Sequence, residues 1–165
     1  MADTSNGLIY GVGEVKFGSQ TIGWIDQNGL QPAGSEPQFM DVYAAQVQDG
    51  PVDSIMTNPG SEAFTFNLIK LNAEALVAII GGEKGSKDEW TPPAVVSKVD
   101  KMDIKTVSGQ TIRIPKARLT KANMQNGLNM SNVLAFKFRV DFMKPDGDGE
   151  RYTIYPPGVD PDAGV

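Results

Sequence analysis

The chain contains no cysteine and no histidine. Those two absences remove disulfide scaffolds, thiolate zinc sites, cysteine nucleophiles and histidine-based triads or metal cages. Long apolar runs are missing as well. The longest spans Ala75 to Ile80, far short of the roughly 20 residues a membrane helix needs. Met1 to Asn6 shows neither the basic nor the apolar segment of a secretory signal, which points to a protein made and folded in a cytoplasm. Base is absent from one long stretch: no Lys or Arg lies between Lys16 and Lys70, while Asp26, Glu36, Asp41, Asp49, Asp53 and Glu62 do. Residues 1–69 therefore carry −7 and residues 70–165 carry +2, within a net charge of −5. A subunit with an acidic and a basic side attracts copies of itself head to tail, and an acidic surface repels nucleic acid.

What is present describes a globular chain of ordinary size. It has 165 residues, 40% hydrophobic and 21% charged, close to the globular average. Val and Ile together number 25 against 8 Leu. β-Branched side chains fit a pleated surface and lose rotamer freedom in a helix, so this ratio favours strand. The 18 Gly and 11 Pro supply turns.

Along the chain, residues 1–8 are polar and read as an arm, 9–155 as one β domain, and 156–165 as a tail without a core face. Val15 to Trp24 reads as a hairpin about Gly18-Ser19-Gln20. Asp26 to Pro37 is a loop. Phe39 to Gln48 reads as a strand of unclear face, and Val52 to Thr57 as a short strand or a loop tip. Phe64, Phe66 and Leu68 alternate with Thr65 and Asn67, the pattern of a half-buried strand. Asn72 and Glu74 then start a helix whose apolar stripe is Ala73, Leu76, Ile79 and Ile80, stopped by Gly81-Gly82. A loop runs from 82 to 93. Strands follow at 95–107 and 110–114, joined at Ser108-Gly109, and another at 117–122. Apolar parity slips around Val99 to Met102 and at Pro115, which predicts a bulge or a crossing between sheet faces. The clearest strand covers 134–142. A Pro-Asp-Gly turn leads to a last strand at 152–155. The order predicts a mainly β sandwich or barrel with one flanking helix.

No motif for chemistry emerges. Asp146, Asp148 and Glu150 alternate as calcium ligands would, but lack the spacing and flanking helices of such a loop and read as a turn. Gly81 to Lys87 has the wrong order and flanks for a phosphate loop. Lys98, Lys101, Lys105, Arg113, Lys116, Arg118 and Lys121 form a basic stretch without the interleaved aromatics that stack on single-stranded bases. Trp24, Trp90, Tyr43, Tyr152 and Tyr155 suit a sugar platform, or more simply core and interface packing. No enzyme and no cofactor or metal is expected.

Several segments do carry a resemblance. These are Gly13 to Gly18 with Ile22 to Ile25, Phe64 to Leu68 running into the Asn72–Ile80 helix and its Gly81-Gly82 stop, Thr111 to Ala117, and Leu134 to Phe142 with its Asp-Gly turn. Together they resemble the tail tube (major tail) proteins of tailed bacteriophages over roughly residues 9–155. The resemblance implies a virion structural protein assembled in a bacterial host cytoplasm. It implies six-membered rings, stacked into a hollow tube through which viral DNA passes without specific binding. The tube's partners would be tip or initiator, terminator and, in contractile tails, sheath proteins. A globule of this length has a radius of gyration of only ~15 Å, so enclosing a duplex requires a closed ring of copies.

Under that reading the base-free strands line an acidic or neutral bore, with Thr65, Asn67, Gln46 and Gln48 as lumen-facing candidates. Asp49 and Asp53, with Asp160 and Asp162 of the tail, are the candidates for contact with a neighbour's basic stretch, represented by Lys116 and Arg118. The alternative is a monomeric β-sandwich binding module for carbohydrate or a receptor, with a pocket around Trp24 or Trp90.

Overall fold

A computed structural model describes residues 7–163. The elements in chain order are β1 (Glu14–Phe17), β2 (Gln20–Thr21), β3 (Gln31–Pro32), β4 (Gln38–Val42), β5 (Asp53–Asn58), β6 (Ala63–Leu68), α1 (Ala73–Ile80), β7 (Glu83–Lys84), β8 (Trp90–Thr91), β9 (Ser97–Lys105), β10 (Thr111–Gln125), β11 (Ala135–Phe142) and β12 (Thr153–Tyr155). The fold is mainly β with one flanking helix, as the sequence pattern predicts. Eight strands form one antiparallel sheet in the order β2-β1-β9-β10-β11-β6-β3, with β12 beside β10. β4–β5 and β7–β8 are separate two-stranded ribbons.

Alternation explains which sheet face is buried. Val15, Phe17, Phe66, Leu68, Met102, Ile104, Ile114, Leu119, Phe136, Phe138 and Val140 all turn to one side and are buried. Helix α1 closes that side with Leu76, Ile79 and Ile80. Asn72 has the extended backbone of an N-cap, but its side chain makes no capping bond. Gly81, at φ 84°, ends the helix and donates its N–H to the carbonyl of Val77. The expected loop at 82–93 holds the β7–β8 ribbon. It seats Trp90 against Phe136, with Nε1 donating to the carbonyl of Gly81 at 3.0 Å.

Pro115 lies in a bulge. Ile114 pairs with Met102 and Ala117 with Asp100, so two residues of β10 oppose one of β9. A proline has no N–H to lose from the ladder there. The slip expected near Val99 to Met102 lies opposite this same irregularity. Beyond the bulge β10 changes neighbours. Its first residues pair with β12 and its later ones with β11. Both edges of β11 are already taken, by β10 and β6. The last strand therefore cannot fold back as a hairpin on β11 and runs to β10 instead.

One expectation fails in the acidic stretch, while the short strand expected near 52–57 is present. The strand expected over 39–48 ends at Val42, and residues 53–58 are its ladder partner. Together they form a ribbon apart from the main sheet. Gln46 and Gln48 sit in the exposed loop joining its strands. Near the N-terminus, residues 1–6 of the expected arm lie outside the described residues. Tyr10 is tied down, its N–H donating to Ser108 Oγ at 3.1 Å, and Gln110 Nε2 donates to the carbonyl of Leu8 at 3.3 Å.

Candidate assembly surfaces

The β4–β5 ribbon is the most unusual feature of the molecule. Almost every residue of both strands is exposed. Phe39, Met40, Tyr43, Val47, Val52, Ile55 and Met56 are each 44% or more accessible. Asp41, Asp49 and Asp53 are its only charges. An isolated two-stranded ribbon is marginal in water, and an exposed apolar edge is normally blunted or covered. Nothing on the described body packs along these strands.

The ribbon is nevertheless fixed at its root. Ser35 and Ser61 exchange backbone hydrogen bonds at 2.9 and 3.0 Å, and their hydroxyls lie 3.0 Å apart. Gly60 there has φ 77°, a conformation favouring glycine, and a Cβ on it would meet the Ser35 carbonyl. The arm thus leaves the body in a set direction.

The polar face of the main sheet has a different character. Residues directly opposite on paired strands share a face. Thr65 pairs with Arg139 and Asn67 with Lys137, while Arg118 pairs with Asp141. Asp141 accepts from Arg139 Nε at 2.8 Å and Arg118 Nη2 at 3.0 Å. Partial burial pushes its carboxyl up, but the bonds from the two guanidiniums outweigh this and hold it below the ordinary range. This face is rich in base. The face that bears Thr65 and Asn67 thus carries Lys137, Arg139 and Arg118 beside Asp141. The strand of Thr65 and Asn67 is itself base-free, but bases arrive from strands 70 or so residues away. The four lumen candidates are also not brought together, since Gln46 and Gln48 sit on the arm. Asn67 is engaged as well, donating from Nδ2 to Asp26 at 2.8 Å.

The contact candidates fall into two groups. Asp49 and Asp53 lie on the arm, in its loop and at the start of β5. The others are paired within the chain. Lys116, in the bulge, meets Asp146 at 3.0 Å, and Arg118 meets Asp141. Asp162 accepts from Arg113 Nη2 at 2.9 Å and lies 3.6 Å from Lys101 Nζ. Asp160 accepts the N–H of Asp162 at 3.0 Å. Arg113 belongs to the basic stretch of the sequence, where no local pattern sets it apart. Its guanidinium, only 13% exposed, also grips Asp103 at 2.8 and 2.9 Å. The hydrogen bonds to Asp103, ahead of those to Asp162, raise its pKa further above the usual value.

An open groove of about 800 Å³ is lined by apolar residues, among them Tyr10, Val12, Trp24, Ile25, Leu30 and Phe64, together with polar ones such as Glu14, Asp26 and Asn28. Trp24 is 71% exposed, with Lys70 Nζ 5.6 Å from its ring centre. Trp90, the other candidate for a binding platform, is packed instead. Among the described residues no group of three or more acids gathers as a metal site, and no helix is long and apolar enough to cross a membrane.

Neither protein-family models nor curated proteins give a match to this chain.

Proposed function

We propose that the chain is a structural subunit of a phage-type tail tube, in which copies close into rings of six and the rings stack into a hollow conduit for DNA. The observation that carries the reading is the β4–β5 arm. It is apolar on exposed surfaces, wholly free of base, and anchored at its root, which is what a joint to another copy requires. The resemblance of residues 9–155 to tail tube proteins supplies the ring and the conduit. Charge supports a head-to-tail join, because the arm is acidic and the polar sheet face is basic. Heterologous contacts of this kind close into rings or run on as filaments.

The arm's Asp49 and Asp53 would meet bases of an adjoining copy. The bore need not be acidic for DNA to slide, because Arg118 and Arg139 already share Asp141. A guanidinium committed to a carboxylate offers less to a phosphate. Negative-stain micrographs of the purified protein, with salt and concentration varied, test the proposal. Rings or tubes are expected. Solitary molecules under every condition, with a tail-tip initiator present as well, would overturn it.

A second reading has one observation in its favour. The groove beside Trp24 is where a monomeric binding module for carbohydrate or a receptor would hold its ligand. That reading expects solitary molecules in the same micrographs, and loss of ligand binding in Trp24→Ala.

A further inference from the structure

The segment after β12 crosses the polar face of β1, β9 and β10 as a strap. It is held almost wholly by polar contacts. Arg113 Nη1 donates to the carbonyl of Pro161 at 3.2 Å and Nη2 to Asp162. Lys101 approaches Asp162. The strap itself turns at 156–159 and 160–163. None of its described residues is buried; Pro157 and Pro161 are half-covered, Pro157 lying over Gly109. A segment with no buried apolar anchor belongs to the least stable part of a fold, and ion pairs with exposed partners are weak and screened by salt.

The charge count beneath the strap is informative. Lys16, Lys101, Lys105 and Arg113 surround Glu14 and Asp103 there, four cations against two acids. Asp160 and Asp162 of the strap bring the cluster to neutrality. Without the strap the site carries +2 and contains a guanidinium already oriented by Asp103. The arm offers acids of its own, Asp41, Asp49 and Asp53, on a surface free of base.

We infer that the strap is an autoinhibitory latch: it occupies, in the free chain, the Arg113 site that the acidic arm of a second copy takes on assembly. This rests on the tube reading and adds a regulatory step to it. Joining two copies then costs the release of one strap, which raises the concentration at which assembly starts. The latch is strongest at low salt, where Asp162 and Arg113 are least screened.

The test uses the full chain with Asp160→Asn and Asp162→Asn, both on exposed side chains, so folding is not at stake. Sedimentation across a concentration series reads the assembly threshold. Hydrogen exchange under monomeric conditions reads the amides of Asp162 and Ala163. The inference expects faster exchange at both amides and a threshold lowered several-fold. It expects that gain to vanish when Asp49→Asn and Asp53→Asn are added, since two independent effects would simply add. An unchanged or higher threshold overturns the latch, and a gain that survives loss of the arm's acids overturns the arm as the competitor. If no variant and no wild-type sample assembles at all, the tube reading itself fails, and the latch falls with it. That outcome is distinct from assembly at an unaltered threshold.

Discussion

The sheet core and the β4–β5 arm are both antiparallel β structure, yet they are stabilised in opposite ways. In β9, β10, β11 and β6 one face is sealed by α1 and by paired aromatics. Phe66 and Phe138 lie 5.5 Å apart and Phe64 and Phe142 5.3 Å apart. The arm has the same backbone ladder and a similar share of apolar side chains, but no covering layer. Hydrogen bonds alone contribute little net stability in water, whereas apolar burial contributes most of it. The core can therefore stand alone, while the arm's apolar surface is available to another molecule. Stability resides in the core, and the proposed function assigns association to the arm.

The largest expected effect breaks the comparison from the core side. Phe138 is 1% exposed, and Phe138→Ala should cost about 3–5 kcal/mol of folding stability in urea unfolding. Phe39→Ala or Ile55→Ala, also large apolar truncations, should change monomer stability by no more than about 0.5 kcal/mol and weaken assembly instead. A large loss from the arm variants in the monomer would contradict the division.

At the arm's root, Gly60→Ala forces a side chain into a positive-φ position against the Ser35 carbonyl. It should cost of order 1–3 kcal/mol locally, seen as faster hydrogen exchange of Ser35 and Ser61 with the core unaffected.

Asp141→Asn tests the basic face. It should cost about 1 kcal/mol at neutral pH, given that both guanidiniums are half in solvent. The sign follows from its depressed folded-state pKa. The stabilisation is complete above the unfolded value near pH 4 and is lost as pH falls through the folded value. Wild type and variant should therefore converge in acid. The smallest effect belongs to Asp49→Asn with Asp53→Asn. It should leave thermal unfolding of the monomer unmoved while raising the assembly threshold.

Much of the core was legible because it depends on local pattern. Phe64 to Leu68, Leu134 to Phe142 and the Leu76, Ile79, Ile80 stripe each announce their buried face by period. Pro115 marked its bulge for a similar reason, since a proline cannot serve a regular ladder. The arm was misread because period carries no signal when both faces of a ribbon are exposed. The missing bases and the failed alternation between Phe39 and Asn58 were the available clue. The charge of the polar sheet face was not legible because it is set across strands. Thr65 and Arg139, or Arg113 and Asp162, lie too far apart in sequence for any local pattern to join them. Only strand order and register bring them together.

The joint itself can be tested by removal. Replacing residues 38–58 with a short Gly-Ser link between the Ser35–Ser61 root leaves the core elements intact, and sedimentation then reports mass against the 17.7 kDa subunit. The account predicts large multiples of that mass for wild type and the monomer alone for the armless chain, with unchanged thermal unfolding. Equal assembly by both chains, or a monomeric wild type at every concentration and salt, would contradict it.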